Sequence, residues 1–223
     1  MTDTAELTLP TEKMRAYVED AIGHVVFNNP ERHNAVSLEM WDAVEVALSA
    51  FQDNDQVRVV VLSGAGGKAF VSGADISKFE SERGSKEATE HYNARLKVVY
   101  DVIENYAKPT IAMIDGYCIG GGLNLAACAD MRIASTKSRF AMPAAKLALG
   151  YPFDAIRRLI NAVGAASAKQ LMKYIATQVM HPDPSARDYA GCDEMVAACF
   201  ASEDYVEGRT AFMEKRKPDF KGR

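Results

Sequence analysis

The chain reads as an α/β fold with a helical carboxyl-terminal third, and three stretches carry that reading. Val57 to Leu62 is an almost continuous β-branched run, the mark of a strand covered on both faces. Pro109 to Ala134 runs from a strand (Thr110 to Ile114) through an Asp115-Gly116 turn into three consecutive glycines. A short apolar helix (Leu123 to Ala129) and a second apolar run (Met131 to Ala134) follow. Beyond that stretch, capping residues and helical runs replace strands, so strands with intervening helices fill the first two-thirds and helices the last.

The elements follow in order. Residues up to about Lys13 are polar. Arg15 to Glu19 and Ile22 to Phe27, broken at Asp20, predict a hairpin. Asn28 to Val36 is a turn-rich loop ending at Ser37, a helix N-cap type. Leu38, Trp41, Val44, Leu48 and Phe51 then recur at helical spacing, and Asp53-Asn54-Asp55 stops the helix. Ser63 to Lys68 resembles a phosphate loop but lacks the required glycine at Leu62 and hydroxyl at Ala69, so it is a turn. Ala69 to Val71 is a short strand opening into Ser72-Gly-Ala-Asp-Ile76. A charged segment, Lys78 to Glu90, leads into a helix with Tyr92, Leu96, Val99, Ile103 and Tyr106 on one face, ended by Lys108-Pro109. Arg139 to Ala141 is a strand, and Leu149 to Asp154 a loop before a helix running to Val163. Ser167 is expected to cap another helix, Ser185 to Phe200 to form the next, and Ser202 to cap the last, ending near Lys215.

Composition narrows the function classes. At 223 residues there is length for one large or two small domains with a buried core. A hydrophobic content of 48% and a charged content of 25% suit a globular enzyme. A net charge of −4 leaves no basic excess for a general nucleic-acid binder. The longest apolar runs are strand-sized, so no membrane span is expected, and the first residues carry no secretory pattern. Cys118, Cys128, Cys192 and Cys199 form no Cys-x-x-Cys pair and no zinc spacing; reduced thiols, a cytoplasmic location and no metal site are the expectation. Gly116-x-x-x-Gly-Gly-Gly122 does not match the dinucleotide pattern Gly-x-Gly-x-x-Gly. Free N–H groups at the glycine-rich start of a helix form a site for a negative or developing-negative oxygen.

The central stretch, Ser72 to Ile76, the Asn28 to Val36 loop and the carboxyl-terminal Phe212-Met-Glu-Lys-Arg-Lys-Pro218 together resemble the crotonase, or enoyl-CoA hydratase/isomerase, superfamily. The resemblance covers nearly the whole chain. It implies a spiral of ββα units over residues 14–165, and a helical trimerisation region over 166–223 in a homotrimer or hexamer. The implied substrate is an acyl-CoA thioester, with no separate cofactor. Its carbonyl would meet the N–H groups of Ala74 and Gly121, and the Gly120 to Gly122 run would let the thioester approach the main chain. CoA would lie along Arg32, Asn34 and Ala35 and past Ile76, with Phe212 beside the adenine and Lys215 at the phosphates. Cations here also complement a helix C-terminus, and the two readings are compatible.

Two departures from the family pattern stand out. The positions of the two hydratase glutamates are Asn124 and Ala144. A carboxamide orients water but takes up no proton near neutral pH, and alanine does neither. Asp154, four residues after Gly150, resembles the catalytic aspartate of the dienoyl-CoA isomerase and chlorobenzoyl-CoA dehalogenase branches; the other reading is a helix N-cap. Asp75 reads as structural, Tyr117 and Tyr151 as pocket lining or phenolic donors, and no histidine is assigned chemistry. The chain is also shorter than family members, with a segment expected to be missing near Met172-Lys173. These departures leave two readings: an acyl-CoA isomerase, decarboxylase or thioester hydrolase, or a catalytically impaired acyl-CoA-binding or assembly subunit.

Overall fold

The computed structural model describes residues 6–143, 150–164 and 182–222. It divides into two compact units, Met1–Ala141 and Met142–Arg223. The boundary read from the sequence, at 165/166, falls within the second unit.

The first unit begins with the predicted hairpin. β1 (Met14–Glu19) and β2 (Ile22–Phe27) are antiparallel, with Met14 opposite Phe27. The chain reverses through Asp20 and Ala21, both left-handed at φ 48 and 65. α1 (Leu38–Gln52) follows, and then two strands recur before each helical segment. β3 (Val59–Gly64) and β4 (Ala69–Val71) precede α2 (Phe79–Arg83) and α3 (Lys86–Glu104). β5 (Thr110–Ile114) and β6 (Tyr117–Ile119) precede α4 (Gly121–Cys128), and β7 (Met131–Ala134) and β8 (Arg139–Ala141) come next. In the three later pairs the first strand joins β1 and β2 in one sheet, ordered β1-β2-β3-β5-β7 and parallel from β2 onward. The second joins a smaller parallel sheet, β4-β6-β8. This is the spiral of ββα units that the resemblance implies.

The core of this unit lies against α1. Phe27, Trp41, Phe51, Phe70 and Tyr92 are fully buried together, and Trp41 Nε1 donates to Tyr92 Oη at 3.1 Å. Burial of each such side chain contributes about 1.5–3 kcal/mol, so the helical stripe starting at Leu38 and the β3 run both dictate the packing.

Several local expectations are corrected. Ser37 stands at the N-cap of α1, but its hydroxyl makes no capping bond; Glu82 Oε1 accepts from the Leu38 N–H at 3.0 Å instead. The charged segment contains helix α2 and the start of α3, separated at Gly84-Ser85, with Ser85 Oγ accepting from the Ala88 N–H at 3.1 Å. α4 starts at Gly121 rather than Leu123, and Tyr117–Ile119, between the Asp115-Gly116 turn and the glycines and given no element by the sequence reading, is the strand β6.

In the second unit α5 (Phe153–Val163), α6 (Tyr189–Ala201) and α7 (Glu203–Met213) are described. Phe153, Ile156 and Cys192 form its buried cluster. Residues Pro184–Ala186 form a single 3-10 turn, so the helix expected from Ser185 starts at Tyr189, capped by Asp188. Ser202 caps α7 as expected, accepting from the Tyr205 N–H at 3.0 Å. The Ser167 cap and the Met172-Lys173 junction lie outside the described residues. No helix among the described residues is long and apolar enough to cross a membrane.

Candidate functional site

β4 and β6 are parallel neighbours, with Val71 opposite Cys118, so their carboxyl ends leave the same edge of the small sheet about 4.8 Å apart. Each opens into a glycine turn. After β4, Gly73 adopts φ 109, its carbonyl accepts from the Val36 N–H, and Val36 O accepts from the Asp75 N–H, both at 2.9 Å. Those bonds form a parallel bridge between Val36 and Ala74, in which Ala74's neighbours do the pairing and its own N–H faces the other way. After β6, Gly120 takes φ 56 and ψ −116, open only to glycine, while its N–H donates to Ala141 O at 2.9 Å. Gly121 is then the first residue of α4. The first intrahelical bond there runs from Asn124 N to Gly120 O at 3.1 Å, which leaves the Gly121 N–H without a helical partner.

The joint between the two turns is tight. A β-carbon on Gly122 would meet the Val71 carbonyl and lie 2.7 Å from Val71 Cβ, and one on Gly73 would lie 3.5 Å from the Ile119 carbonyl. Two main-chain donors that have no hydrogen-bond partner among the described residues, at adjacent strand ends, can hold an oxygen on which negative charge develops. The reason given above for the three glycines needs correcting. A β-carbon on Gly121 would point at Tyr100 Oη, 3.2 Å away, and at Trp41 Cζ2, 3.7 Å away, not toward a ligand. The glycines are demanded by φ at Gly120 and by close packing at Gly121 and Gly122. Tyr100, whose hydroxyl donates to Gly121 O at 3.2 Å, supports the turn from behind; sequence reading had not singled it out, and its position on α3 beside the Trp41 stripe was the signal available.

Asn124 lies one helical turn beyond Gly121, is only 4% exposed, and its Oδ1 is buried with no hydrogen-bond partner among the described residues. Ala144 lies outside the described residues. Asp154 is in the second unit, at the second residue of α5. Pro152 holds the N-cap, so the capping reading of Asp154 is overturned. Its carboxylate is 42% exposed and accepts from Arg157 Nε at 3.3 Å.

The loop expected along CoA is largely committed to itself. Asn34 is fully buried and left-handed; its Nδ2 donates to Ala65 O and Ala69 O at 3.0 and 2.8 Å, and its Oδ1 accepts from Asn29 N at 2.9 Å. Its own N–H donates to Asn29 O, and Ala35 uses its N–H on Arg32 O and its carbonyl on Asn29 Nδ2. Direct contact through the Asn34 side chain or the Ala35 N–H would therefore break the loop. The exposed Arg32 side chain spans to Asp75 Oδ1 at 3.2 Å and Ser77 Oγ at 2.5 Å. Asp75 also accepts from Ser77 N and Oγ, consistent with a structural part. Ile76 follows at the start of a 3-10 turn, half-buried.

At the carboxyl end, Phe212 is exposed on α7 and Lys215 is left-handed at φ 56. Lys215 N donates to Phe212 O and Arg216 N to Ala211 O, the Schellman pattern that usually carries glycine. Lys215→Gly is expected to stabilise the protein by about 0.5–1 kcal/mol, the left-handed penalty less the added unfolded-state freedom, as a rise in melting temperature. Arg216 is held by Glu207 and Glu214, and its bonds together with the Asp219 N–H push Glu207 down to about 2 from the ordinary 4.5. A depressed carboxyl stabilises the folded state above its unfolded value and loses that contribution as pH falls through its folded one. The segment after α7 should therefore detach as pH drops from about 4.5 toward 2, seen as growing cleavage there by an acid protease.

The Enoyl-CoA hydratase/isomerase family matches residues 18–188. The chain is 29% identical to a crotonyl-CoA hydratase of Syntrophomonas wolfei over 249 aligned residues, covering 91% of this chain and 95% of that one. It is 33% identical to a peroxisomal Delta(3,5)-Delta(2,4)-dienoyl-CoA isomerase of Arabidopsis thaliana over 178 residues, covering 75% of this chain and 64% of that one. Among solved structures, an enoyl-CoA hydratase/isomerase family protein from Hyphomonas neptunium is 29% identical with a TM-score of 0.70, covering 97% of this chain and 100% of that one. The paired glycine turns, the ββα spiral and the extent of these matches lead to one conclusion: the chain belongs to the enoyl-CoA hydratase/isomerase family.

Proposed function

We propose that this protein acts on an acyl-CoA thioester whose carbonyl oxygen accepts hydrogen bonds from the Ala74 and Gly121 N–H groups. The observation that carries the reading is the pair of donors, without partners among the described residues, at adjacent strand ends. As an α-proton leaves or an α-carboxyl group departs, charge moves onto that oxygen, and fixed donors stabilise it without reorganising. Standard hydration is not proposed, because Asn124 and Ala144 stand where hydratases carry glutamates. The buried, unpartnered Asn124 Oδ1 can accept from a bound water or ligand but cannot act as a base. Isomerisation, decarboxylation and thioester hydrolysis remain, with Asp154 as the acid, base or nucleophile. The identity to the Arabidopsis dienoyl-CoA isomerase supports isomerisation among these reactions. Lys215 serves the CoA phosphates, so Lys215→Gly should weaken acyl-CoA binding while raising the melting temperature.

A second reading, an acyl-CoA-binding or assembly subunit without turnover, is favoured by the ion pair that Asp154 forms with Arg157. A missing segment near Met172-Lys173 is proposed with either reading; the alignment with the Syntrophomonas protein spans 249 positions, more than the 223 residues of this chain, as a chain shorter than its relatives requires. A screen of acyl-CoA thioesters separates the readings. Turnover that falls at least about 100-fold in Asp154→Asn supports the enzyme. Unchanged turnover removes Asp154, and binding without turnover supports the subunit. A homotrimer or hexamer is proposed with either, supported by exposed Met131, Ile133 and Phe140 on β7 and β8.

A further inference from the structure

Tyr100, in the last third of α3, reaches the Gly121 peptide from the helix layer. Its Oη donates to Gly121 O at 3.2 Å and lies 3.2 Å from where a Gly121 β-carbon would stand. The residue is only 6% exposed, and its ring meets Trp41 edge-on, with centroids 5.5 Å apart at 72°. α3 is pinned to α1 on both sides of it. Arg95 Nε donates to Asp42 Oδ1 at 2.9 Å, and Tyr106 Oη, just past the helix, donates to Leu48 O at 2.6 Å. The Tyr100 hydroxyl is therefore placed by the packing of two helices, the kind of support that pre-organises a site.

The turn it touches has little of its own to hold it. Gly120, Gly121 and Gly122 bring no side chains, and glycine loses more backbone freedom on ordering than any other residue. Gly120 is tied at both ends, its N–H to Ala141 O and its carbonyl to Asn124 N, and Gly122 is hemmed in by Val71. Gly121 lies between them. The two peptide planes that meet at its Cα can swing together, and that crankshaft motion would re-aim the Gly121 N–H. The Tyr100 bond to Gly121 O holds the second plane against it. A donor moved by about 1 Å can cost about 100-fold in rate. We propose that Tyr100 is a positioning residue for the reaction, keeping the Gly121 N–H aimed at the thioester oxygen without touching the substrate. This rests on the reading of Ala74 and Gly121 as the thioester site.

The test is steady-state kinetics on Tyr100→Phe, which loses the hydroxyl and keeps the ring against Trp41, with the acyl-CoA thioester that the wild type turns over best. kcat should fall about tenfold while KM changes by less than about twofold, because the donor matters most once charge has developed on the oxygen. Tyr106→Phe removes a similar bond from a tyrosine hydroxyl to a main-chain carbonyl, at Leu48 instead of Gly121; it should lower the melting temperature and leave kcat unchanged. In a Gly121→Pro background the donor is absent, so adding Tyr100→Phe should cause no further fall in kcat. A kcat within about twofold of the wild type in Tyr100→Phe overturns the proposal. An equal fall in Tyr106→Phe overturns it in favour of general docking of α3 on α1, and a further fall of about tenfold in the proline background places the effect of Tyr100 elsewhere. Wild-type turnover in Gly121→Pro, or a wild type that turns over no thioester, overturns the oxyanion reading itself, and this proposal with it.

Discussion

Gly121→Pro is expected to lower acyl-CoA turnover by about 100- to 1000-fold while leaving helix content unchanged, because it removes one main-chain donor and sets the ring Cδ where that N–H pointed. Gly121 is the first residue of α4, where the N–H takes no part in the helix and proline's fixed φ is well suited. Proline restricts the residue before it, but Gly120 has no β-carbon to clash. The new ring would press on Tyr100 Oη, 3.2 Å from the β-carbon position, so a steric control is needed. Gly121→Ala makes that same contact and keeps the N–H; it should lose less than about tenfold. Steady-state kinetics with circular dichroism on both variants decides the matter. Equal losses in the alanine and proline variants would assign the effect to Tyr100 packing, and wild-type turnover in Gly121→Pro would remove Gly121 from the reaction.

How far the sequence foretold this site depends on the kind of interaction each residue makes. β3 was legible because a strand covered on both faces must be apolar along its length, β5 because it too is an apolar run although Met113 on its second face is exposed, and α1 because its buried face recurs every three or four residues. β6 was not, since Tyr117–Ile119 is too short to show a period and is a strand only by pairing with β4 and β8. The division of α2 from α3 was hidden in a charged segment whose organising contact, Arg83 on Tyr92, joins residues that no local pattern relates. The cap of α1 comes from Glu82, on another helix, while Ser37, the residue that propensity favours, makes no cap bond. Asn34 shows the same limit at the site. Its side chain bonds to Asn29, Ala65 and the first residue of β4, Ala69, and only the fold reveals that it is occupied. The two glycine turns were visible as turns; what each glycine accommodates was visible only in three dimensions.

Gly122→Ala is expected to cost about 2–3 kcal/mol of stability and to impair turnover more than Gly121→Ala does, although Gly122 donates nothing to the proposed oxyanion. The contrast comes from what each β-carbon would meet. At Gly121 it meets a hydroxyl at the end of a tyrosine side chain, which can shift by a few tenths of an ångström. At Gly122 it meets the Val71 carbonyl, and lies 2.7 and 2.8 Å from Val71 Cβ and Cγ1. A carbonyl within paired β4 cannot yield alone, so the start of α4 must move away from that strand. That joint also ties the turn carrying Gly121 to the strand that leads into Ala74, so moving it should separate the two donors proposed to share one oxygen. Urea unfolding and kinetics should therefore change together. Placing the substitution in a Val71→Ala background sharpens the test: losing Cγ1 relieves one close contact and leaves the carbonyl in place. The double variant should regain part of the stability and little of the turnover. If Gly122→Ala instead folds and turns over like the wild type, then α4 is not held against β4 as described, and the convergence of the Ala74 and Gly121 donors loses its structural basis.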